Sequence, residues 1–185
     1  GSAGAPFSLV ANDIGQFLYD SVNDVYLYGA LFAAGAFSST AIRSMPIEIL
    51  VALANKLNIN LWVNVQFWFT DASISAYAAY VKANLNSQLT AYWEYSNEIW
   101  NNGAAFAQNR YATVRGRSLG FPAVNGEQFY GYTGLRSAQM FGLIDVVYGS
   151  QANYKKVLAF QAFGGTVNQQ TYILNGADLV HCVSS

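Results

Sequence analysis

Two strand-length apolar runs, Leu61 to Phe69 and Leu89 to Tyr95, alternate with helical patterns at a spacing of about 30 residues, and this narrows the fold more than any other feature. Parallel strands cannot be joined by a hairpin. Each pair therefore needs a crossover helix, and the crossovers are expected to be right-handed. Pro46 in a first helical turn, with Ser44 as cap, starts a helix through Leu57. Ile49, Leu50, Leu53 and Leu57 fall on one face of it, and Asn58 to Asn60 ends it. Asp71 and Ser73 offer caps for a second helix from Ile74 to Leu85. The near-continuous apolar character of Leu61 to Phe69 is the pattern of a strand covered by helices on both faces.

Outside this segment the pattern is weaker. Ile14, Phe17, Leu18 and Val22 predict a short helix; Val25 to Leu31 follows as a strand, with Gly29 to Thr40 reading as a loop almost equally well. Past Asn102 comes a Gly-rich, Arg-bearing stretch, then a helix from Gln128 to about Ile144. Lys156 to Phe160 reads as a buried strand, Asn168 to Leu174 as a helix and Leu179 to Val183 as a last strand. Four or five strands result. With no repeat beyond this alternation and no linker-like segment, one domain over residues 1–185 is expected.

Charged residues make up only 10% of the chain, against about 25% in ordinary soluble domains. Amides, hydroxyls, Tyr and Gly must therefore cover much of the surface. That suits an extracellular protein that meets neutral polymers, and equally a large core under an uncharged surface. The net charge of −1, with no basic run, argues against nucleic acid as a partner; Arg110, Arg115 and Arg117 form the only local basic cluster. No apolar run reaches the roughly 18 residues that span a bilayer, and no charged-then-apolar leader opens the chain. Cys182 is the only cysteine, which excludes an internal disulfide. His181 is the only histidine; it excludes multi-histidine metal sites and leaves a Ser-His triad without a nucleophile motif. Phosphate loops, dinucleotide fingerprints and cysteine clusters are missing, so no cofactor is implied.

Against this uncharged background, Ala91-Tyr92-Trp93-Glu94-Tyr95-Ser96-Asn97-Glu98-Ile99-Trp100-Asn101-Asn102 delivers an amide and a carboxylate together at a strand's end. With Met45 to Asn55 and Trp62-Val63-Asn64 before it, this segment resembles the cellulase-type glycoside hydrolases of clan A, a group of retaining (βα)8-barrel enzymes. The match covers about residues 45 to 102. The resemblance implies a partial or reduced (βα) TIM-type barrel, with four or five parallel strands and helices outside. At 185 residues the chain falls short of the about 250 that a complete barrel takes, so the last barrel units are missing. It also implies secretion, a β-1,4-linked polysaccharide as substrate, Glu98 as general acid/base and Asn97 as a hydrogen-bonding partner of a sugar hydroxyl. Low-dielectric aromatic surroundings would raise the Glu98 pKa towards its working range. The alternative reading of Glu98 is a strand-end carboxylate paired with an arginine.

A retaining glycosidase needs a second carboxylate ~5–5.5 Å from the first, and an inverting one roughly 6.5–9.5 Å away. Glu94 lies four residues from Glu98, which at ~3.3 Å each is about 13 Å of strand, so it is expected to be a buried structural carboxylate with hydrogen bonds of its own. In the family the nucleophile is a Glu on the seventh strand; this chain has no Glu after Glu127. Asp71 is the best local substitute by position, ahead of Glu127 and Asp178, although its reading as a helix cap is the stronger of the two. Among the tryptophans, Trp62 and Trp93 are expected in the core. Trp68 and Trp100, near strand ends, are placed to stack on sugar, with Gln66 and Tyr95 as further lining candidates. The missing nucleophile strand leaves a rival reading, a non-catalytic carbohydrate-binding or vestigial module. An incomplete barrel also has open strand edges, which self-association into a homo-oligomer would cover.

Overall fold

The computed structural model describes residues 17–20, 25–28, 31–32, 36–37, 46–101, 107–161 and 167–183. The chain divides into two compact units, Gly1–Ser44 and Met45–Ser185. In the first, strands β1 (Phe17–Asp20) and β2 (Val25–Tyr28) pair antiparallel, as do the two-residue strands β3 (Leu31–Phe32) and β4 (Ala36–Phe37). Residues 17–20 are thus a strand rather than part of the expected helix. Four residues close barely one helical turn, whereas pairing in register from Phe17 opposite Tyr28 to Asp20 opposite Val25 engages the backbone along the whole segment. Ser44, the expected cap, lies outside the described residues.

The second unit runs α1 (Ile47–Leu57), β5 (Leu61–Val65), α2 (Asp71–Asn84), β6 (Ala91–Tyr95), α3 (Ala107–Ser118), α4 (Glu127–Tyr148), β7 (Tyr154–Val157) and α5 (Val167–Val183). Its three strands form one parallel sheet in the order β5-β6-β7, with Leu61 opposite Ala91 and Ala91 opposite Tyr154. This corrects the expected barrel. Among the described residues the sheet has three parallel strands and is open, making a small α/β domain. Two local differences lie behind the correction. The strands before α1 pair among themselves, and Leu179 to Val183 is no strand, because Asn168 to Val183 belongs to one uninterrupted helix.

Among the described residues of this unit, helices cover the sheet on one side. Leu61, Val63 and Val65 alternate inward from β5 and join Ala91 and Trp93 of β6 against Ile74, Ala78 and Val81 of α2 and Met140, Ile144 and Tyr148 of α4. Trp93 is fully buried and meets the Tyr148 ring edge-on at 6.4 Å. The opposite face carries Trp62 and Asn64, both exposed, so β5 is shorter than the expected Leu61–Phe69 and is not buried on both faces. α1 also differs from expectation. It buries Ile47, Val51 and Ala54, and leaves Ile49 (53% exposed), Leu53 and Leu57 in solvent. Both stripes fit helical spacing, and Ala54 on the inner one brings the helix close. Asn58 in the left-handed region ends α1 as expected.

β7 is tied to α4 through Asp145, which accepts from the Tyr154 hydroxyl at 2.6 Å and from Lys156 Nζ at 2.9 Å. Burial works against the Asp145 charge, yet these two hydrogen bonds and the Lys156 charge outweigh it and hold the carboxyl below its ordinary range. The same hydrogen bond, more than burial, pushes the Tyr154 hydroxyl up to about 12. A raised pKa in the fold stabilises below the unfolded value and loses that contribution as pH rises through the folded one; a lowered carboxyl does the reverse on the acid side. The tie is therefore expected to hold between those limits, fading below about pH 4 and between about pH 10 and pH 12. Asp145→Asn should flatten both limbs of the stability–pH curve in urea unfolding, and limbs unchanged by the substitution would refute the assignment.

Candidate functional site

The chain turns sharply where β6 ends. Ser96 (φ 62°) and Glu98 (φ 44°) both adopt the left-handed region, which costs a non-glycine residue about 1–2 kcal/mol. Such strain persists only where the surroundings over-determine the backbone, and here they do. From β5, Val65 O accepts from Ser96 N at 2.7 Å, and Asn64 Nδ2 donates to Ser96 O at 2.9 Å. From α3, Gln108 Nε2 donates to Asn97 O at 2.7 Å, and the buried Asn109 donates to Ile99 O at 2.8 Å. Ile99 is buried beneath the corner. The result is a backbone fixed from two sides that leaves the Asn97 and Glu98 side chains exposed beyond the carboxyl end of the central strand, where open α/β sheets bind their ligands.

Glu98 accepts from Asn101 Nδ2 at 3.2 Å, and no arginine pairs with it among the described residues. Among the described residues the expected aromatic enclosure is not seen, and the side chain stands in solvent. Trp100, just beyond it, is half-buried. On the neighbouring strand's end Gln66 is half-buried, and its carbonyl accepts from Phe69 N to close a turn at 3.0 Å. Trp68, in that turn, is half-buried with its ring edge-on to Phe67 at 4.7 Å. Asn97, Glu98, Trp100, Gln66 and Trp68 thus all follow carboxyl ends of adjacent parallel strands. Tyr95 does not join them. Its side chain points into the helix layer, where the hydroxyl donates to Phe67 O at 3.1 Å, and burial, with Tyr132 and Tyr111 alongside, pushes its ionisation well up.

Neither nearby carboxylate is free. Asp71 is the first residue of α2 and is not its cap; Thr70 caps the helix by accepting from Ser73 N. The Asp71 carboxylate, 66% exposed, receives Arg136 Nη1 of α4 at 2.7 Å. Arg136 is itself 11% exposed, and its Nη2 donates to Phe69 O at 3.0 Å, so one guanidinium fixes both the turn after β5 and the carboxylate that follows it. Glu94 is buried on the sheet face that carries Trp62 and Asn64, where one oxygen accepts from Trp62 Nε1 at 2.7 Å and from Asn64 Nδ2 at 2.8 Å. That is the structural role its strand position predicted. Trp62, expected in the core, is half exposed and stacks on Tyr92 at 5.4 Å. Glu127 opens α4 and Asp178 lies on the exposed side of α5. The side chains of His181 and Cys182 lie outside the described residues.

Asn64, Gln108, Asn109 and Arg136 position this region, and sequence reasoning assigned none of them a role. Asn64 stood in the string that carries the resemblance, whereas nothing in the sequence around Arg136 points to Asp71. Because Asn64 joins Glu94 to the corner through the carbonyl of buried Ser96, Asn64→Ala should destabilise the domain by about 1–3 kcal/mol in urea unfolding, the cost of taking a donor from a buried acceptor. A midpoint equal to wild type would mean that neither bond matters. Among the described residues no group of His, Cys, Asp and Glu could hold a metal ion, and no helix is long and apolar enough to cross a membrane. Comparison with family models, with curated proteins and with solved structures gave no significant match.

Proposed function

We propose that the Asn97–Glu98 corner is the proton-donating part of a glycoside hydrolase site, acting on a β-1,4-linked polysaccharide such as cellulose. In this reading Glu98 is the general acid/base, Asn97 orients a sugar hydroxyl, and Trp68, Trp100 and Gln66 grip the chain; no cofactor takes part, and the protein is secreted. One observation carries the proposal: a strained corner, pinned by Asn64, Gln108 and Asn109, fixes the backbone under an exposed carboxylate at the carboxyl end of the central strand. A cost in backbone strain with a reactive group at its apex is the usual mark of a functional corner. The reading rests on this site and on the resemblance, and not on the fold, which by itself fixes no function.

The Asp71–Arg136 ion pair favours a second reading, a carbohydrate-binding module without turnover, because it occupies the best-placed candidate for the second carboxylate. Incubation with soluble β-glucan and cello-oligosaccharides separates the two. New reducing ends and shortened chains are expected for the hydrolase. Tryptophan fluorescence that titrates with cello-oligosaccharide while no product forms would establish the binding module, and neither signal would remove both.

A further inference from the structure

The two edges of the parallel sheet differ. β7, with the sequence Tyr154-Lys155-Lys156-Val157, carries two lysines at its edge, a common device against unwanted strand pairing. β5, with Leu61-Trp62-Val63-Asn64-Val65, carries no charge, no proline and no bulge, and no second strand pairs with it among the described residues. Leu61 N donates to Thr90 O, and Val65 O accepts from Ser96 N, so the backbone groups of Leu61, Val63 and Val65 face β6. By strand alternation those of Trp62 and Asn64 face outwards. Next to this edge, α1 leaves the stripe Ile49, Leu53 and Leu57 exposed on the side opposite the residues it buries. An unprotected edge and an uncovered apolar stripe thus belong to consecutive elements.

We propose that a second copy of this chain occupies that flank, its β5 pairing antiparallel with β5 about a two-fold axis normal to the sheet at Val63. Such an axis continues the sheet with the helices on one side and sets Trp62 opposite Asn64 of the second copy, the two residues whose backbone groups point outwards. It also lays the α1 helices side by side and antiparallel. The charges of α1 then match: Glu48 lies in its first turn and Lys56 in its last, both exposed, so each Glu48 meets the second copy's Lys56. The helical midpoint between these charges is Ala52, so in this arrangement a small side chain lies near the crossing of the two helices. A net charge of −1 opposes such pairing only weakly.

Sedimentation equilibrium of the full chain tests this, with circular dichroism to check folding. Wild type is expected to dimerise in the micromolar range. Leu53→Glu and Lys56→Glu, both at exposed positions, should each raise the dimer dissociation constant about tenfold or more. The double reversal Glu48→Lys with Lys56→Glu should restore it to near wild type, because the exchange keeps the antiparallel match. A monomer at every concentration, or a dimer indifferent to all of these substitutions, would overturn the proposal.

Discussion

For the proposed hydrolase, Glu98→Gln is expected to slow product formation from soluble β-glucan by about 100- to 10,000-fold, the range that a positioned general acid contributes. The amide keeps the size of the side chain and can still accept from Asn101, so the corner should keep its shape. What it loses is the proton that, in the proposed mechanism, goes to the departing glycosidic oxygen. Thermal unfolding measured beside the rate separates the two effects: equal melting with lost turnover identifies a catalytic group. Turnover that survives the substitution would remove Glu98 from the mechanism. Glu94→Gln makes an informative companion. The Glu94 carboxylate is engaged by Trp62 and Asn64, so its loss should lower stability before it touches chemistry.

A large stability effect is expected at the α4–α5 contact. A methyl group added at Gly134 would land on the Ile173 carbonyl oxygen, and one added at Gly176 on the Gly131 carbonyl oxygen. These are backbone obstacles that no rotamer change relieves. Gly134→Ala or Gly176→Ala should therefore force the helices apart and cost at least the ~1–3 kcal/mol of an overpacked core, less a helix-propensity gain of up to ~1 kcal/mol. Gly142 provides the control within α4, because an added methyl there meets nothing. Gly142→Ala should stabilise by up to about 1 kcal/mol, and each kcal/mol should move the melting temperature by about 2–4 °C. Equal melting of the Gly134 and Gly142 variants would mean that α4 and α5 do not approach as described.

Gly176 also explains one misreading of the sequence. Residues Asn175 to Asp178 separate an expected helix from an expected strand, yet α5 runs straight through them. Its glycine serves close packing against α4 rather than a turn, and that depends on a partner far away in the chain. The Arg-bearing stretch after Asn102 hides a helix for a related reason. α3 buries Ala107, Asn109, Tyr111, Ala112 and Gly116, a mixed set without an apolar stripe, so periodicity did not reveal it.

Local physics made the core of the second unit legible. Pro46 and Asn58 bracket α1, the apolar run that starts at Leu61 marks β5, and the aromatic run before Asn97 marks β6 with its carboxylate just past the end. Each signal arises from neighbours within a few residues, through capping, side-chain period and backbone preference. The sequence alone therefore determined the order α1-β5-α2-β6 and the position of Asn97 and Glu98 beyond the central strand. Only the tertiary structure decided which stripe of α1 is buried, how many strands the sheet holds, that Asn64 joins Glu94 to the corner, and that Arg136 takes Asp71 from 65 residues away. Those outcomes depend on which surfaces meet across the chain, and a pairwise contact between distant residues leaves no mark on the local pattern of either one.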